Sequence, residues 1–139
     1  MSERKRLMII DDDPEYVAAT RAVLEEAGYE AEVAYNPRDG MAALRAHRHD
    51  LLLLDLVMGR GVEGITVARA IRADPTLKRL PILVVTGLRT QLASIFPGRA
   101  LHTDDIPLDD LLEKPVPPGV LLERVAALLM PAATAQPVT

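Results

Sequence analysis

Leu51-Leu52-Leu53-Leu54-Asp55 sets four leucines in a row directly before a carboxylate. So short a run, without period-two alternation, fits a strand buried on both faces. A charge placed directly after it needs a partner from elsewhere in the chain. The pattern recurs on either side. Residues 7–10 are apolar and close on Asp11-Asp12-Asp13, and residues 81–85 close on Thr86-Gly87. Residues 31–35 and 111–113 read as two further short strands, the second ending at Lys114-Pro115.

Helical signals lie between these runs. Asp13 can cap, Pro14 can take the first helical position, and Glu15 favours the positive end of a helix. Tyr16, Ala19, Val23 and Ala27 then give an apolar stripe at spacings of three and four, and Gly28 ends the helix. Asn36-Pro37 repeats the cap-then-proline signal and predicts a weaker helix to about His49. A loop with Gly59, Gly61 and Gly64 precedes a third helix over residues 65–73, stopped near Pro75. Pro117-Pro118 opens a last helix with Leu121, Val125 and Leu128 on one face, ending at about Met130. Residues 88–110 are interrupted by Pro97, Gly98 and Pro107, so any helix there is short. Residues 131–139 are small and polar with two prolines, which predicts a disordered tail or linker remnant after a domain spanning residues 6–130. Strands alternate with helices five times, so the expected fold is a parallel sheet covered on both faces, a three-layer α/β sandwich.

The bulk numbers narrow the function. The chain has 139 residues, the size of one domain. It has no cysteine, which excludes disulfides, thiolate metal sites and thiol catalysis. No apolar run approaches the ~18–20 residues of a membrane span, and the first apolar run is too short for a signal peptide. A cytoplasmic protein without membrane contact is the expectation. The net charge of −4, the scattered lysines and arginines, and only three tyrosines and one phenylalanine argue against a nucleic-acid surface.

The polar residues that matter fall at the carboxyl ends of the strands: Asp11 and Asp12, Asp55, Thr86 and Lys114. Open parallel sheets bind ligands at that edge, beside the point where strand order reverses. Three clustered carboxylates repel one another unless protonated or joined by a cation. Oxygen donors with room left for water and phosphate oxygens suit Mg²⁺. Lys114 and Thr86 suit a phosphoryl group, and a carboxylate can be the nucleophile in phosphoryl transfer.

The stretches LMIIDDDPE, LLLLDLVM, PILVVTG and LLEKPV, in that order, resemble the receiver domains of bacterial response regulators, across roughly residues 6–130. The resemblance implies a flavodoxin-like, doubly wound sheet of order 2-1-3-4-5. It implies Asp55 as phosphoacceptor and Asp11, Asp12, Asp55 and the Val57 backbone carbonyl as Mg²⁺ ligands, with Asp12 direct and Asp11 through water. Thr86 is the implied switch hydroxyl, Lys114 the phosphate-binding lysine, and Lys114–Pro115 a cis bond. The implied partners are a sensor histidine kinase or phosphotransfer protein and an unknown downstream protein. Val57 and Leu88 flank the site and are expected to slow dephosphorylation.

Some positions depart from that pattern. Met58 is followed by Gly59 rather than proline, and Gly64 lies one residue further from Asp55 than usual, so the loop is expected to be more mobile. The usual switch aromatic is Leu111. These departures keep open a second reading, a degenerate receiver that binds protein without phosphorylation. A haloacid-dehalogenase-type phosphatase fits less well, because Pro14-Glu15 breaks the pattern that Asp11 and Asp13 begin. His47, His49 and His102 read as exposed, and Asp104-Asp105 and Asp109-Asp110 as solvated loop acids. The glycine cluster lacks the Gly-Lys-Ser/Thr of a phosphate loop.

Overall fold

The central strand of the sheet is the four-leucine run. In the computed structural model, which describes residues 4–58, 63–87 and 108–130, Leu51–Leu54 is buried throughout and lies between two other apolar strands. The elements in chain order are β1 (Arg6–Ile10), α1 (Pro14–Glu26), β2 (Glu30–Ala34), α2 (Pro37–Ala46), β3 (Leu51–Leu54), α3 (Glu63–Ala73), β4 (Ile82–Thr86), β5 (Asp110–Glu113) and α4 (Pro118–Leu129). All four strand pairings are parallel and the order is β2-β1-β3-β4-β5. The expected three-layer sandwich and its strand order are both found.

Side-chain alternation along the strands divides the core in two. Met8, Ile10, Leu52, Leu54 and Val84 pack with Leu44 of α2 and Ile65, Ala68 and Ile71 of α3. Leu7, Ile9, Leu51, Leu53, Leu83 and Val85 pack on the other face with Val17 and Leu24 of α1 and Leu121 and Val125 of α4. Both faces of the strands are therefore used, which is why their sequences are apolar runs rather than alternating ones.

Helix entry follows the cap chemistry. Asp13 Oδ1 accepts from the backbone N–H groups of Glu15 and Tyr16 at 3.1 and 3.3 Å, and Asn36 Oδ1 accepts from that of Asp39 at 2.8 Å. Gly28, at φ 100°, sits just past α1 in the left-handed region that glycine alone enters without steric cost.

Several expectations need correction. The buried face of α1 is Val17, Thr20 and Leu24; Ala19 and Ala27 are exposed, and Tyr16 and Val23 are only half-buried. Helix α2 stops at Ala46, short of His49. Gly64 lies in the first turn of α3, not in the loop before it. His49 is not exposed: its side chain retains 1% exposure, with Nε2 2.7 Å from Glu32 Oε1 and Nδ1 3.1 Å from the His47 carbonyl. Asp109 and Asp110 are not free loop acids. Asp109 accepts from the Ile82 N–H and pairs with Arg72, and Asp110 pairs with Arg124. The expectations for residues 59–62, Leu88 with most of 88–110, His102, Asp104-Asp105 and the tail lie outside the described residues.

Candidate functional site

The strand order sets the site. Strand order reverses between β1 and β3, and Ile10 and Leu54 are paired across that boundary. One step further, the Asp55 N–H donates to the Ile10 carbonyl at 3.1 Å, so Asp11 and Asp55 emerge side by side at the carboxyl edge. On the far side of β3, Thr86 ends β4, and the Lys114 N–H donates to the Thr86 carbonyl at 2.9 Å. Backbone pairing alone thus brings four separate segments to one place.

Their side chains close on one another. Thr86 Oγ1 donates to Asp55 Oδ1 at 2.7 Å, and the Val57 N–H donates to the same oxygen at 3.1 Å. Lys114 Nζ donates to Asp11 Oδ2 at 2.9 Å and to Asp55 Oδ2 at 3.3 Å. Asp11 Oδ1 accepts from the Asp13 N–H at 3.0 Å. Asp11, Asp55 and Thr86 are buried, whereas Asp12 is exposed. All five predicted side chains therefore meet, Val57 reaches the site through its backbone N–H, and Lys114–Pro115 is cis as expected.

Carboxylates crowd together here. Asp11, Asp12 and Asp55 each present an oxygen, and these lie within 4.8 Å of one another, while Lys114 carries a single positive charge. Burial pushes the Asp11 carboxyl above its ordinary value of 3.8; the hydrogen bonds from Lys114 and Asp13 pull the other way, and the Asp55 charge adds to the rise. For Lys114, burial works against the charge. The hydrogen bond to Asp11 and the charges of Asp55 and Asp11 outweigh it, so its pKa lies above the ordinary 10.5. The donor set consists of hard carboxylate oxygens with no thiolate or imidazole, which fits a hard divalent cation.

Two residues of the site were not foreseen in these roles. The Tyr16 ring, read as core stripe, lies under Lys114, with Nζ 4.1 Å from the ring centroid. Gly64 packs on the backbone that carries Asp55: its N–H donates to the Leu56 carbonyl at 3.0 Å, and a Cβ there would lie 2.5 Å from Leu56 Cα and 2.9 Å from the Asp55 carbonyl carbon. No side chain larger than hydrogen fits, which gives the family-like glycine a physical reason despite its shifted spacing.

Comparison with known proteins agrees with this geometry. The family model for the response regulator receiver domain matches residues 7–126, and the chain belongs to that family. It is 30% identical over 124 residues to Protein PilH of Pseudomonas aeruginosa, covering 89% of this chain and 97% of that protein. It is 33% identical over 126 residues to the DNA-binding response regulator MtrA of Mycolicibacterium smegmatis, covering 91% of this chain but 51% of MtrA. The chain spans about half the length of MtrA and of the similar regulator RpaA from Synechocystis. A CheY-like receiver domain from Methanospirillum hungatei superposes with a TM-score of 0.73 at 28% identity, covering 91% of this chain and 94% of that one. The chain is thus a receiver domain of two-component signalling, and the reading as a phosphorylation-independent module is not favoured. Among the described residues no helix is long and apolar enough to cross a membrane.

Proposed function

We propose that Asp55 accepts a phosphoryl group and that residues 6–130 form the switching unit, with residues 131–139 a tail or linker. The observation behind this reading is convergence. A buried carboxylate takes two donors on Oδ1 and Lys114 on Oδ2, with Asp11 and Asp12 beside it. Among the described residues two buried acids, Asp11 and Asp55, share one lysine, which is costly as a purely structural arrangement. Two like charges ~4 Å apart repel by roughly 4 kcal/mol at an effective dielectric of ~20.

In the proposed reaction an Asp55 carboxylate oxygen forms a bond to phosphorus. The bond from phosphorus to the donor breaks, and the donor group leaves with the electron pair: an imidazole nitrogen of a kinase or phosphotransfer protein, or the carboxylate of an acyl phosphate. Asp11, Asp12, Asp55 and the Val57 carbonyl would hold Mg²⁺, which when bound neutralises charge on the carboxylates and the transferring group. Lys114 is placed to receive a phosphoryl oxygen. Thr86, whose hydroxyl holds Asp55 Oδ1, is placed to exchange that bond for one to the phosphate. The added charge of about −2 biases the surrounding loops toward a second arrangement. A downstream protein in the cytoplasm would read that arrangement, and the only chemistry assigned to the chain is its own phosphorylation and dephosphorylation.

Incubation with acetyl phosphate and Mg²⁺, read by intact mass, tests this. The chain should gain one phosphoryl group, and Asp55→Asn should gain none. An unlabelled wild-type chain, or equal labelling of the variant, would overturn the reading.

A further inference from the structure

We propose that Tyr16 is a positioning residue for Lys114, its ring face holding the ammonium between Asp11 and Asp55; this rests on the reading of Asp55 as phosphoacceptor. Two of the three ammonium donors have partners, Asp11 Oδ2 at 2.9 Å and Asp55 Oδ2 at 3.3 Å. The ring meets the ammonium as well, 4.1 Å from its centroid. A lysine head sits on a flexible four-carbon stem, and this side chain is still 22% exposed. Beside it a groove of about 460 Å³, lined by Tyr16, Thr20, Pro115 and Val116 among others, gives an unanchored ammonium somewhere to turn.

The residue is anchored at the start of α1: its backbone N–H donates to the Asp13 cap at 3.3 Å, and its ring packs at the edge of the core. The helix cap therefore orients a side chain of the site. The negative face of an aromatic ring attracts a cation, more strongly when water is excluded. The carboxylates can be shared with a divalent ion, but the ring cannot, so its hold on Lys114 persists when they are engaged. A residue that only filled space against α4 would need bulk and no π face.

The test keeps the full chain and changes the ring face at constant shape. Position 16 is replaced by phenylalanine and then by phenylalanines of increasing fluorination, which weakens the negative face. Labelling by acetyl phosphate and the NMR shifts of the Lys114 ε-methylene protons are followed. Tyr16→Phe should label close to the wild-type rate. The most fluorinated ring should label about fivefold more slowly, the factor that about 1 kcal/mol produces, and the Lys114 protons should move toward the shifts of an exposed lysine. Tyr16→Leu should behave like the fluorinated end of the series. A flat rate series overturns the proposal, because Tyr16 is then packing alone. An unlabelled wild-type chain would instead sink the phosphoacceptor reading, and the Lys114 shifts would still decide whether the ring holds the ammonium.

Discussion

The two edges of the sheet use charge in opposite ways. At the amino edge, acids and bases are matched locally. Arg6 pairs with Glu30 at 3.3 Å, and Arg45 with Asp74 at 3.4 Å. Arg72 pairs with Asp109 at 2.6 Å while donating to the carbonyls of Lys78 and Leu80. His49 meets Glu32. A cavity of about 580 Å³ at this edge, lined in part by Arg45, His47, Arg48 and Arg79, shares no residue with the acidic cluster. At the carboxyl edge, among the described residues, two buried acids, Asp11 and Asp55, share Lys114, and Asp12 lies beside them. The pairs at the first edge each join one acid to one base and close the fold. At the second, the described residues crowd carboxylates together, an arrangement that a bound cation would relieve.

The contrast breaks most severely at Gly64, where the functional edge depends on backbone contact. Its missing Cβ lets α3 rest on the peptide that follows Asp55. Gly64→Ala should cost about 3 kcal/mol, the upper end of overpacking in a well-filled core, since the obstacle is backbone that cannot rotate away. Urea denaturation of the variant measures the loss, and labelling by acetyl phosphate should slow because Asp55 is displaced. A variant as stable as the wild type would mean that α3 can shift at no cost.

How far the sequence could carry this depended on range. The central strands β1, β3 and β4 were legible because a strand covered on both faces is an apolar run, closed by the first polar residue. The site was legible for a related reason: Asp11, Asp55 and Thr86 are those closing residues, Lys114 follows the edge strand β5, and a parallel sheet puts all of them on one edge. Helix faces were harder. Around α1 the small and aliphatic residues support more than one stripe, and the true face includes a buried polar residue, Thr20. Tyr16 meets Lys114 from beyond β5, and His49 meets Glu32 of β2; neither contact has a local signal. Gly64 was seen as glycine, but its need for close approach emerged only once α3 was placed on β3.

The burial of Asp11 also makes a pH prediction. Asp11 has a raised pKa in the folded chain, so between its ordinary 3.8 and the higher folded value the native state holds a proton that the unfolded chain has released. Stability from this group is therefore complete below 3.8 and falls as pH rises through the window. Asp11→Asn, which keeps the neutral form at all pH values, should be more stable than the wild type at pH 7, with the difference closing as pH falls toward 4. Mg²⁺ should reverse the order, stabilising the wild type by mass action and the variant less. Denaturation curves across pH, with and without Mg²⁺, check both parts. A variant less stable than the wild type at neutral pH without metal would show that the Lys114 bond to Asp11 outweighs its burial.

The smallest expected effect belongs to the amino edge. Glu30→Gln removes one member of the Arg6 pair, whose two side chains are 41% and 48% exposed. Exposed pairs of this kind contribute about 0–1 kcal/mol, and solvent at both ends places this one in the lower half, below about 0.5 kcal/mol. Arg6 keeps its place in β1 through its backbone, whose N–H donates to Asp50 Oδ2 at 2.8 Å independently of the guanidinium. The melting curve should therefore hardly move. The labelling rate should not change at all, because the pair lies at the end of β1 opposite Asp11. A Glu30→Gln chain that labels at a different rate would mean that the two edges communicate through β1, and the division of labour drawn between them would have to be given up.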